Sequence, residues 1–151
     1  MQVSRGENNM QLIPEKSLCE KNPASVVSKD KGESRKHCAI NPNRKFDLRH
    51  YQLDGVLIQQ ETCCDFLLIN DSTKKAYLIE LKGKDIKKAV KQLQAGEKHC
   101  KSALGGYTFF YRIICSKAKT HQIADSAVRK FKDKYGMRFK IKETYLSETL
   151  N

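Results

Sequence analysis

The chain has 151 residues, 39% hydrophobic and 30% charged, which is enough apolar material for one ordinary domain and excludes a wholly disordered chain. Its 29 Lys and Arg against 17 Asp and Glu leave a formal charge of +12, so polyanions are the expected partners, nucleic acid first, with binding that weakens as salt rises. No run approaches the roughly 18 apolar residues of a membrane span, and no basic segment has the aromatic-rich apolar face that a membrane surface would hold, so no membrane partner is expected.

The first residues, MQVSRGENNMQLIPEK, lack the apolar core of a secretion signal, so an intracellular, cytoplasmic location is expected. There its six cysteines (Cys19, Cys38, Cys63, Cys64, Cys100 and Cys115) are expected as reduced thiols. The pairs His37-Cys38, Cys63-Cys64 and His99-Cys100, with His50 and His121, supply zinc-ligand types. Their spacing does not match the paired ligands of structural zinc sites, so zinc is not expected.

A single domain over residues 1–151 is expected, its first 40 residues a helix followed by a basic loop. Met10 to Lys21 suggests a short helix opening at Pro14 with Leu18 and Cys19 turned inward. Lys29 to Lys36, KDKGESRK, reads as a mobile loop. After the turn signal Asn41-Pro42-Asn43, a strand is expected from Tyr51 through Gln59, interrupted at Asp54-Gly55 by a bulge or turn.

Cys64 to Lys84, CDFLLINDSTKKAYLIELKGK, is the most informative stretch. Phe66–Ile69 and Ala76–Ile79 are apolar runs separated by the polar turn Asn70–Lys75, so a hairpin is expected. Antiparallel pairing brings Asp65 back beside Glu80 and Lys82, which share one face because they are two residues apart. Both acids are expected at strand ends outside the apolar core. Two carboxylates at one corner repel unless a cation compensates them, and a hard divalent ion with oxygen ligands does so. A lysine beside such an ion can act on an attacking water or on charge building at a phosphate.

Asp85 is the expected N-cap for the following helix, in which Ile86, Val90, Leu93, Cys100 and Leu104 keep near helical spacing up to Gly105-Gly106. Lys87, Lys88, Lys91, Lys98 and Lys101 fall on its polar side. Tyr107 to Cys115, dense in aromatic and β-branched residues, reads as a buried strand. Ser116–Thr120 turns the chain into one helix, HQIADSAVRKFKDKYG, closed by Gly136, and Met137–Leu146 reads as an edge strand with a cationic outer face.

Asp65, fourteen intervening residues and Glu80-Leu81-Lys82 resemble the signature of the PD-(D/E)xK nuclease superfamily, which includes restriction endonucleases and Holliday-junction resolvases. The order helix, three strands, helix, strand is similar to that superfamily's αβββαβ core, here with an added C-terminal helix and strand. The resemblance implies an α/β fold, a mixed sheet flanked by helices, and a Mg²⁺- or Mn²⁺-dependent endonuclease acting on nucleic acid, DNA by family habit. It implies that Asp65, Glu80 and the backbone carbonyl of Leu81 hold the metal and that Lys82 serves the water. Gln92, with Gln94 as alternate, would be a helper on the following helix. An acid from the leading helix, Glu20 or Glu15, would be a further ligand, and Asp54 another if its strand lies beside Asp65, although turn chemistry explains Asp54 more simply. Cys64 stands where many members have proline. Lys84, Lys87, Lys88 and Lys91 are the expected phosphate contacts, and a homodimer is expected if both strands of a duplex are cut. The alternatives are a binding module of the same fold without cleavage and a protein-interaction or inhibitor protein with a coincidental motif.

Overall fold

The computed structural model describes residues 11–81, 85–117 and 120–151. The hairpin forms as β4 (Phe66–Asn70) and β5 (Lys75–Glu80), antiparallel, with Phe66 opposite Ile79 and Asn70 opposite Lys75. Asn70 organises the turn: its Oδ1 accepts from the amides of Ser72 at 3.1 Å and Thr73 at 3.3 Å. All of β4 and all but the first residue of β5 are buried, as in strands covered on both faces.

β3 (Leu48–Gln52) pairs antiparallel with β4, while β6 (Thr108–Cys115) and β7 (Phe139–Glu143) extend the other side in parallel. The result is a five-stranded mixed sheet in the order β3-β4-β5-β6-β7. A second sheet contains β1 (Ser25–Lys29), β2 (Lys36–Ile40) and β8 (Tyr145–Thr149), in the order β1-β2-β8.

Side-chain alternation along β4 and β5 divides the core. Leu67, Ile69, Ala76 and Leu78 pack under α1 (Ile86–Cys100) and α3 (Ser126–Tyr135) through Ile86, Val90, Leu93, Val128 and Phe131. Phe66, Leu68, Tyr77 and Ile79 point the other way, toward Val26 and Ala39 of the small sheet. Helices, large sheet and small sheet therefore form the layers of an α/β sandwich. Asp85 caps α1 as expected, its Oδ1 accepting from the Lys88 amide at 3.0 Å. Among the described residues no helix is long and apolar enough to cross a membrane.

The N-terminal third departs from expectation. Of the helix expected over Met10–Lys21, the described part contains one 3₁₀ turn, Pro14–Lys16. Its backbone is drawn to β3 instead: the Leu18 amide donates to the His50 carbonyl at 2.6 Å, and the Tyr51 hydroxyl donates to the carbonyls of Leu12 and Ile13 at 3.1 and 3.2 Å. Leu18 is exposed and Cys19 half-buried, so the expected inward pair does not form. Lys29–Lys36 closes the β1–β2 hairpin, with Gly32 at φ 80°. Among the described residues, a strand pair stands where the leading helix of an αβββαβ order is expected.

Three further boundaries differ. β3 starts at Leu48 and ends at Gln52, because the chain turns at Gly55 (φ 78°), where the Gly55 amide donates to the Ile58 carbonyl at 2.8 Å. The single helix expected after β6 is two, α2 (Thr120–Ile123) and α3, because Asp125 starts a new N-cap by accepting from the Ala127 amide at 2.8 Å. The last expected strand divides at Thr144 (φ 63°), whose amide donates to Cys115 of the large sheet and whose carbonyl accepts from Lys36 of the small one. β7 and β8 consequently belong to different sheets.

Candidate active site

Asp65 immediately precedes β4 and Glu80 ends β5. Continuing the register from Phe66 opposite Ile79 sets the two acids opposite each other, on the face that carries Leu67 and Leu78 beneath α1. They are not outside the core: Asp65 is 4% exposed and Glu80 is fully buried. Asp65 is held through both its side chain and its backbone. Its Oδ2 accepts from the Leu81 amide at 2.8 Å, and its carbonyl accepts from the Leu53 amide at 2.8 Å. Carboxylate oxygens on two facing strands are donors of the type that Mg²⁺ or Mn²⁺ takes, so the pair fits a hard cation chemically.

The other expected site residues are distributed unequally. Lys82 and Lys84, with Gly83 between them, lie outside the described residues. Leu81 is buried beside Asp65. Asp54 is half-buried in the turn after β3, where it bridges to Ile58. Glu20 is exposed and paired with Arg44 at 3.1 Å, and Glu15 is exposed on the 3₁₀ turn. Among the described residues no group of three or more His, Cys, Asp and Glu side chains is placed to hold a metal ion, so neither Asp54 nor Glu20 completes one with Asp65 and Glu80. On α1, Gln92 is half-buried and Gln94 exposed, while Lys87, Lys88, Lys91, Lys98 and, at its C-cap, Lys101 are all exposed.

Three further features carry little or no local signal in the sequence. Cys64, fully buried, packs directly beneath Gly96 of α1, and burial pushes its thiol well above the usual range. The only signal was an isolated glycine inside a helical pattern. A buried polar cluster between the sheets joins His37, Arg112 and Glu148, with Ser28 and His50 hydrogen-bonded at 2.8 Å nearby. Its members are remote in sequence and have no local motif. A groove of about 700 Å³ between α3 and β7, lined by Val128, Phe139 and Ile141 with Lys132, Lys140 and Lys142, includes neither Asp65 nor Glu80.

Comparison of the chain with protein-family models, curated proteins and solved structures gave no match. The mixed sheet flanked by two helices resembles a generic α/β nuclease-like architecture.

Proposed function

We propose that this chain binds nucleic acid, DNA in the first instance, through a basic surface on a nuclease-like α/β scaffold. The observation that carries this reading is the exposed row Lys87, Lys88 and Lys91 on the first turns of α1, just after the strand that ends in Glu80, in a chain of net charge +12. Lysines on one helix face contact phosphates without reading sequence, and the counterions they release give a salt-dependent affinity.

The facing carboxylates Asp65 and Glu80 favour a second reading, metal-dependent phosphodiester hydrolysis. Asp65, Glu80 and the Leu81 carbonyl would hold Mg²⁺ or Mn²⁺, with Lys82 acting on the water or the phosphate and Gln92 assisting. The bound ion would polarise a phosphoryl oxygen and activate water. The chain itself contributes a carboxylate fixed by the Leu81 amide and lysines that draw the phosphate backbone in. On duplex substrate two such sites are needed, which a twofold homodimer supplies.

Plasmid and branched DNA incubated with Mg²⁺, Mn²⁺ or EDTA separate these readings. A salt-sensitive gel shift without cleavage in any metal supports the binding module. Cleavage with metal that EDTA abolishes supports the second reading. Neither shift nor cleavage at low salt overturns both and points to a protein partner.

A further inference from the structure

Glycine weakens a helix, yet Gly96 lies well inside α1 and is buried. A Cβ placed on it would stand 2.5 Å from the Sγ of Cys64, 3.4 Å from Cδ2 of Leu78 and 3.7 Å from the Cβ of Cys64. Real Cβ atoms essentially never show the first distance, and the neighbour that must give way is fully buried: the Cys64 thiol is directed to the Phe66 carbonyl at 3.9 Å. Cys64 is also the residue before Asp65. One turn further along α1, His99 donates its Nε2 proton to the Thr62 carbonyl at 3.3 Å, and Cys100 shares a core cluster with Cys63. The helix therefore grips the whole segment that leads into Asp65.

We infer that Gly96 is a positioning residue: by letting α1 close onto Cys64 without a Cβ, it sets Asp65 against the Leu81 amide and opposite Glu80. The inference rests on the metal-dependent reading only for its consequence at a metal. Its structural part stands on the contacts themselves.

The test uses the full chain, isotope-labelled, with hydrogen exchange at the Leu81 amide as a readout independent of metal. Gly96→Ala is expected to shift the Leu81 resonance and speed its exchange about tenfold while the β4–β5 ladder amides keep their rates, the signature of a local change and not of global destabilisation. Mn²⁺ affinity should fall about tenfold or more, the usual scale for changes behind a ligand. Adding Cys64→Ala removes Sγ, leaves only the 3.4 and 3.7 Å contacts, and should restore both readouts.

A folded Gly96→Ala protein with wild-type Leu81 shift and exchange overturns the inference. A moved Leu81 amide in a chain whose wild type binds no Mn²⁺ upholds the positioning role and removes the metal reading. Where Gly96→Ala does not fold, the double variant decides. It must fold with Leu81 protected as in wild type, and a double variant that unfolds, or that folds with Leu81 displaced, overturns the proposal.

Discussion

Arg112 of β6 and Glu148 of β8 meet in a two-point ion pair, Nε to Oε2 at 2.7 Å and Nη2 to Oε1 at 2.9 Å, that joins the five-stranded sheet to the three-stranded one. His37 of β2 donates to the same Oε2 at 2.6 Å. Arg112 is 3% exposed, so truncating its partner strands a charge inside the protein. Glu148→Ala is expected to cost about 3–5 kcal/mol, the range for breaking a buried pair from one side. Urea unfolding should show a lower midpoint with an unchanged slope, since the surface exposed on unfolding is the same. A loss below about 1 kcal/mol, typical of surface pairs, would mean that water reaches this interface.

Acid should act on the same interface through two groups. Burial, with repulsion from His37, holds His50 down to about 4 from its usual 6.5. Between those values the unfolded chain takes up a proton that the folded chain refuses. The contribution is therefore complete above pH 6.5 and lost as pH falls to 4, on the order of 3 kcal/mol. For Glu148, burial acts to raise the carboxyl, but the hydrogen bonds from His37 and Arg112 outweigh it and hold the group well below its usual 4.5. Its stabilisation is present above 4.5 and is lost on further acidification. Melting temperature from pH 8 to pH 3 should fall in two stages, and His50→Gln should flatten the first alone.

The basic helix has its own signature. Reversing Lys87, Lys88 and Lys91 to Glu should weaken binding to unrelated duplexes alike, because phosphate contacts carry no sequence information. The slope of log affinity against log salt should shrink by about 0.9 for each phosphate that the helix no longer neutralises. Fluorescence anisotropy over a salt series measures both. Unchanged affinity at low salt would show that these lysines are ordinary solvated charges and that nucleic acid docks elsewhere.

What was legible in the sequence depended on whether the signal was local. The β4–β5 hairpin, the Asp85 cap and the buried β6 strand each follow from neighbouring residues: an apolar run, a turn cluster, an acid at a helix start. The β1–β2 hairpin was hidden because two of its inward positions are Ser28 and His37, so the buried alternation is not a hydrophobic one. Those residues are tolerated inside because His50 and Glu148, distant in sequence, receive them. At the candidate site the pairing of Asp65 with Glu80 followed from the turn, whereas their burial depended on α1 closing over them, and Gly96 makes that closure possible.

The carboxylate pair itself calls for substitutions that keep volume, since alanine at fully buried Glu80 would leave a cavity and confound function with stability. Asp65→Asn retains an oxygen to accept the Leu81 amide, and Glu80→Gln retains chain length. On the metal-dependent reading each should abolish cleavage and reduce Mn²⁺ binding by calorimetry, while DNA affinity in EDTA stays at the wild-type value because the α1 lysines are intact. Lys82→Ala removes a group acting on water or developing charge, not a ligand. It should lower the cleavage rate by about 10²-fold with Mn²⁺ still bound. An Asp65→Asn protein that cuts at the normal rate removes Asp65 from the chemistry. A wild-type chain that shifts DNA but cuts nothing in Mg²⁺ or Mn²⁺, with no Mn²⁺ binding that Asp65→Asn alters, leaves the binding module as the whole function.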